Sequence, residues 1–178
     1  MSSSRRTRPN VLVTGTPGTG KTTTADKAAA LSRTTHLDLN KLVSDKKLHA
    51  EYDAERECHV LDEDRILDVL EPALDEGGVI VDYHGADFFP ERWFDLIFVL
   101  RTDNEVLYPR LQRRGYPQQK ITENVEAEIM QVIPAEVRGA YDEEIIVELR
   151  SNSVEELDAN AQRIAQMMAR IESEKYAP

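Results

Sequence analysis

The run Gly15-Thr16-Pro17-Gly18-Thr19-Gly20-Lys21-Thr22 matches G-x-x-x-x-G-K-[ST] at every fixed position. Such a loop binds phosphate only when it sits between a strand and a helix. Asn10-Val11-Leu12-Val13-Thr14 before it reads as a short buried strand, and Lys21 to Leu31 after it as a helix. Gly15, Gly18 and Gly20 allow a tight turn that aims backbone N–H groups inward. The helix N-terminus adds about half a positive charge, so loop and helix form an anion cradle. In it, Lys21 can reach the β- and γ-phosphates of a nucleotide, and the Thr22 hydroxyl can ligate Mg2+.

Strand and helix patterns alternate along the rest of the chain. A second strand is expected over Thr35-His36-Leu37-Asp38-Leu39, and a helix from Leu61 to Asp75 with Ile66, Leu67, Leu70 and Leu74 inward. Gly77-Gly78 stops that helix. Val79 to Asp82 and Phe94 to Leu100 read as buried strands. Thr102 and Glu105 fit a capping box for the next helix, which Gly115 and Pro117 end. A helix is then expected from Glu123 to Tyr141, broken or kinked at Pro134. Glu144 to Leu149 is the last strand. Ser153 and Glu156 cap a final helix whose core stripe is Leu157, Ala161, Ile164, Met168 and Ile171. This order predicts an α/β fold, a parallel sheet covered by helices on both faces. Ligands of such sheets sit at the C-terminal ends of the strands.

The 178 residues suit one domain with a sizeable core. A net charge of -11 argues against broad nucleic-acid binding and favours a basic partner. The single cysteine, Cys58, excludes an intrachain disulfide and a cysteine zinc site, which suits a reducing compartment. It reads as a free thiol rather than a nucleophile. No segment is long and apolar enough for a membrane span. Met1 to Pro9 carries Arg5, Arg6 and Arg8 without an apolar stretch, so it is not a secretory signal; it reads as a disordered basic tail, or else as a weak nuclear signal or a basic contact arm.

Two further constellations belong with the loop. Val79-Ile80-Val81-Asp82 is an apolar strand closing on a carboxylate, as a Walker B strand requires, and Asp82 then holds Mg2+; otherwise it is a turn or cap residue. His84 follows, placed to orient water or carry a proton near the γ-phosphate, or else to bond a loop carbonyl. Arg110 and Arg114 share a helix face and can clamp phosphates or stack on a base, or merely serve the helix dipole; Arg113 points elsewhere, to the surface. Asp82-x-x-Gly85 also fits a GTPase switch. The guanine-reading N-K-x-D element is missing, however, since Asn40-Lys41 continues as Leu42-Val43.

Together these residues resemble the nucleoside monophosphate kinases, and more closely the adenylate kinase isoenzyme 6 family of nuclear adenylate kinases and ATPases tied to small ribosomal subunit assembly. The most specific stretches are Thr14 to Lys21, Leu61-Asp62-Glu63-Asp64, Ile80 to Gly85, Phe89-Pro90-Glu91-Arg92 and Arg114-Gly115-Tyr116. The resemblance runs from Pro9 to the last helix. It implies a P-loop three-layer αβα core of five parallel strands (9–37, 62–112 and 124–174), a monophosphate-binding insertion at 38–61 and a short lid at 113–123. ATP would lie against Gly18, Thr19, Gly20, Lys21, Thr22, Thr23, Arg110 and Arg114, with adenine near the Ser151-Asn152-Ser153 turn. Lys21, Asp82, His84 and Arg114 would be catalytic, with Mg2+ on Thr22 and Asp82. The implied ligands are ATP, AMP and ADP. The implied partner is a basic small-subunit ribosomal protein, and the implied setting a monomer in nucleus and cytoplasm. One departure stands out. Many such kinases grip the monophosphate with an arginine early in the insertion, where this chain has Ser44; Lys41, Lys46 and Arg65 are the candidate substitutes. The acidic run Glu51-Tyr52-Asp53-Ala54-Glu55 cannot hold a phosphate and reads as a solvated face. Two rival readings remain open: an ATP-switched assembly factor, and a small-metabolite kinase of shikimate type.

Overall fold

The continuous apolar run of β1 (Val11–Gly15) places it at the centre of a parallel sheet, buried on both faces. A computed structural model describes residues 6–55 and 58–178, without the side chains of 51–53, 58 and 59. The thiol expected at Cys58 and the carboxylates of Glu51 and Asp53 therefore lie outside the described residues, as do Met1–Arg5.

Five parallel strands form the sheet in the order β2-β5-β1-β6-β7, with β2 at Thr35–Asp38, β5 at Val79–Asp82, β6 at Leu96–Arg101 and β7 at Ile146–Arg150. Strand alternation sorts the core into two layers. Leu12, Val81, Ile97 and Val99 face α3 (Glu63–Glu76) and α6 (Val132–Ala140). Val11, Val13, Ile80, Phe98 and Leu100 face α1 (Lys21–Ser32) and α7 (Val154–Ile171). Ala25, Ala28 and Ala29 are small enough to let α1 lie close to both the sheet and α7. Ile66, Leu70 and Leu74, spaced by one helical turn, bury one face of α3.

The segment 38–61 leaves this core as α2 (Leu39–Lys46) and an antiparallel hairpin, β3 (His49–Asp53) with β4 (Cys58–Leu61). β2 stops one residue earlier than expected because the Asp38 carboxylate caps α2, accepting from the Lys41 N–H at 3.1 Å. β6 starts at Leu96 rather than Phe94. The intervening Asp95 side chain is occupied elsewhere, by Lys175 Nζ at 2.6 Å and the Tyr176 hydroxyl at 2.8 Å. Thr102 does not cap α4 (Asn104–Arg113); Asp103 is the cap residue, and the Thr102 hydroxyl donates to the Ser151 carbonyl at 2.8 Å. The helix expected from Glu123 to Tyr141 is two helices. α5 (Gln118–Ile129) begins five residues earlier than expected, and the chain breaks at Gln131, which takes φ 55. Pro134 sits in the first turn of α6, where its missing N–H has no partner to lose. β7 likewise starts two residues later than expected, at Ile146, after a 3-10 turn at Glu143–Ile145 capped by Asp142. Ser153 caps α7 as expected, its hydroxyl accepting from the Glu156 N–H at 3.1 Å.

From Arg6 the basic arm packs on the core. Arg8 donates to the Arg33 and Ser32 carbonyls at 2.7 and 3.0 Å and pairs with Glu172 at 3.1 Å. Gly77, which ends α3 at φ 91 and ψ 176, lies under this arm, and a Cβ there would collide with the Arg8 carbonyl oxygen. That backbone region is nearly closed to other residues. Gly77→Ala is expected to destabilise the fold by about 3 kcal/mol, read as a lowered urea midpoint at unchanged slope. An unshifted midpoint would mean that the arm does not pack there.

Candidate active site

The loop after β1 closes on itself before it meets α1. The Thr19 N–H and hydroxyl both donate to the Thr16 carbonyl, at 3.2 and 2.8 Å. Gly18 adopts φ 95, and a Cβ there would stand 2.8 Å from Leu107 Cδ1. Gly20 is the N-cap of α1 and offers no side-chain cap, so the first helical N–H groups are free of a side-chain acceptor. This is a cradle for an anion. Thr19 is fully buried and contributes backbone rather than side chain, whereas Thr22 and Thr23 are exposed at the helix start.

Lys21 is only 8% exposed, and its ammonium donates to the Thr16 carbonyl at 3.2 Å. Burial pulls its pKa down to about 8, helped by Arg114 and opposed by Asp82, Glu128 and Asp38. Asp82 ends β5, beside Val13 of β1 on one side and Asp38 of β2 on the other. It is 1% exposed. Its Oδ2 lies 2.9 Å from His36 Nε2, while Oδ1 has no hydrogen-bond partner among the described residues. A buried carboxylate oxygen left over beside an anion cradle fits a hard cation, so Asp82 and the Thr22 hydroxyl suit Mg2+. The bond to Asp82 raises the His36 pKa above its ordinary value, against burial, with Asp26 and Asp38 adding to the rise.

A cleft of about 520 Å³ opens over the loop. Of the residues expected from sequence, Gly18, Gly20, Lys21, Thr22, His84 and Arg114 line it; Thr19, Thr23 and Asp82 do not. Burial, with Lys21 and Lys120 nearby, pushes the His84 pKa down to about 4, although Asp82 opposes the shift. At that value His84 is a neutral imidazole at physiological pH. Arg110 does not face this cleft. Its Nη1 donates to the carbonyls of Ser151 at 2.9 Å and Gly18 at 3.2 Å, tying the loop to the end of β7. A second cleft of about 330 Å³ runs along that seam, lined by Gly18, Gly20, Arg110, Arg113, Arg114, Ser153, Val154 and Leu157. Arg113 lines it while remaining exposed.

Sequence reasoning missed Asn40, Tyr116, Lys120 and Asn124, all of which line the main cleft. Lys120 and Asn124 share one face of α5, with the Lys120 ammonium 4.2 Å from the Tyr116 ring centroid. Starting that helix at Glu123 hid the pair. Lys41, Lys46 and Arg65 are not among the residues lining the cleft.

The family model described as AAA domain matches residues 11–131. An adenylate kinase isoenzyme 6 homologue of Dictyostelium discoideum is 48% identical over 162 residues, 91% of this chain and 93% of that protein. The chain belongs to the adenylate kinase isoenzyme 6 family. The family's homologue in Caenorhabditis elegans is 46% identical over 171 residues, covering 95% of this chain and 94% of the other. The fold is also that of a shikimate kinase from Acinetobacter baumannii, solved with shikimate, at a TM-score of 0.65 and 18% identity over 93% of this chain and 95% of that one. At that identity the likeness concerns the fold alone. As an adenylate kinase isoenzyme 6 homologue, the protein is a P-loop nucleotide kinase by family.

Proposed function

We propose that this protein transfers the γ-phosphoryl group of Mg·ATP to AMP, reversibly, and also hydrolyses ATP. The observation that carries the reading is the cleft itself. Lys21, Arg114 and the neutral His84 line one cleft over the anion cradle, and Asp82 at the end of β5 keeps one oxygen without a hydrogen-bond partner among the described residues. Lys21 and Arg114 would offset charge on the transferring group. Thr22 and Asp82 would hold Mg2+, which when bound neutralises phosphate charge. His84 would hydrogen-bond an attacking water or the acceptor, as donor or acceptor according to its tautomer. Segment 38–61 serves as the monophosphate side. Residues 113–123, with Arg114, Tyr116 and Lys120, serve as the lid that excludes water.

The family resemblance extends the reading to maturation of the small ribosomal subunit, in nucleus and cytoplasm, with the protein a monomer. The net charge of -11 suits a basic ribosomal protein as partner. A second reading, an ATPase switch with little kinase activity, is favoured by one observation. Asn40 is the residue of α2 that lines the cleft, whereas Lys41 and Ser44 are exposed elsewhere, so α2 brings no cation to an AMP phosphate.

The test is a coupled ADP-production assay with Mg·ATP, with and without AMP, on wild type and His84→Ala. AMP is expected to raise ADP output severalfold, and His84→Ala to lower it at least about tenfold. ADP output indifferent to AMP would sink the kinase reading and leave the switch.

A further inference from the structure

One carboxylate lines neither cleft, yet it touches the loop. Glu128, in the last turn of α5, is 2% exposed. Its Oε2 accepts from the Thr16 hydroxyl at 2.6 Å. Its Oε1 accepts from Arg101 Nε at 2.6 Å and the Thr102 N–H at 3.2 Å, and Arg101 Nη2 donates to its backbone carbonyl at 3.0 Å. A charge this deeply buried persists only where charged and polar donors surround it. Here the donors come from two elements, the phosphate loop and the tip of β6, and the acceptor from a third.

The geometry gives this cluster leverage over the cleft. Lys120, Asn124 and Ala127 line the cleft, and the same helical strip ends at Glu128. Beyond it the helix stops, and Gln131 turns the corner at φ 55 with its N–H on the Glu128 carbonyl at 3.2 Å. α5 is thus tied at its C-terminal end to the phosphate loop and the tip of β6, while Ile121 nearer its start packs on Leu107 and Leu111 of α4. Arg101 alone would be enough for a structural rivet. The bond to Thr16 does something else, because the Thr16 carbonyl accepts from Lys21 Nζ, the group that must reach phosphate. Thr16 is held by the helix through its hydroxyl and by the catalytic lysine through its carbonyl.

We propose that Glu128 is a positioning residue that, through Thr16, couples nucleotide on the phosphate loop to the angle at which α5 presents Lys120 and Asn124 to the cleft. The proposal rests on the loop binding a nucleoside triphosphate and does not depend on which acceptor the phosphoryl group reaches.

Hydrogen exchange on the full chain tests it, with and without a saturating non-hydrolysable Mg·ATP analogue. In the wild type the analogue is expected to slow exchange both in the loop and along α5, the latter at least about threefold. Thr16→Val, close in shape but without the hydroxyl, should keep the slowing in the loop and lose it on α5. Thr16→Ser should restore it. In steady-state ATP turnover, Thr16→Val should lower kcat about tenfold with KM for ATP moved less than about threefold, and Thr16→Ser should recover kcat. Equal protection of α5 in Thr16→Val, or Val and Ser variants that behave alike, overturns the coupling alone. Absence of loop protection in the wild type overturns the nucleotide reading and the coupling with it.

Discussion

Lys21→Met is expected to lower ATP turnover by about a thousandfold and to raise the stability of the fold. The two effects have one cause. The ammonium sits in a nearly closed site whose partners in the protein are a carbonyl at 3.2 Å and more distant carboxylates. Its pKa of about 8, against an ordinary 10.5, means that holding the charge there costs on the order of 3 kcal/mol at neutral pH. A polyphosphate would supply the missing counter-charge, so the cost in the free protein becomes binding and transition-state stabilisation in the complex. Methionine fills the same space without the charge. It leaves Asp82 and Glu128 with less cation nearby, so the net gain should be about 1–2 kcal/mol.

The sign of the pH dependence follows from linkage. Between about pH 8 and 10.5 the unfolded chain holds the Lys21 proton that the folded chain has lost. Wild-type stability therefore rises with pH across that window on this residue's account, and below it the cost is constant. Lys21→Met should remove the rise, and urea unfolding at about pH 7 and about pH 9.5 would show it. A methionine variant less stable than wild type at neutral pH would mean that Lys21 is better solvated than its burial indicates.

The parts of the molecule that were legible beforehand are those where one local signal is enough. β1 and β5 are apolar runs buried on both faces, and the glycines of the loop have one sensible use between a strand and a helix. Pairings across the sheet were not legible. His36 meets Asp82 because β2 lies beside β5, and no local pattern states which strands are neighbours. Glu128 looked like any helix-surface glutamate, since its partners Thr16 and Arg101 belong to other elements. The corner at Gln131 was misplaced to Pro134 because proline is a breaker in a helix interior and harmless in a first turn. Lys120 was lost for a different reason: an error of a few residues in the start of α5 left it outside the helix.

Asp82→Asn should reduce Mg·ATP turnover at least about a hundredfold and raise the Mg2+ concentration needed for what remains. The substitution keeps the shape and one oxygen, so the fold should persist. What is lost is the charge behind an Oδ1 that has no hydrogen-bond partner among the described residues. His36 offers a readout that needs no nucleotide. Its pKa is raised mainly by its hydrogen bond to Asp82, and burial pulls the other way. Without the carboxylate, burial and the weaker influence of Asp26 at 3.7 Å and of Asp38 remain, so the titration should move down. For a raised folded pKa, the stabilisation from the His36–Asp82 pair is complete below the ordinary value of 6.5 and fades as pH climbs through the folded value. The stability gap between wild type and Asp82→Asn should therefore be wider just below pH 6.5 than above the folded His36 value, narrowing as pH climbs through it. NMR of the imidazole protons across pH, in both chains, checks the shift directly. A His36 titration indifferent to Asp82→Asn would show that the pair does not form in solution. Undiminished turnover would place the cation on other ligands.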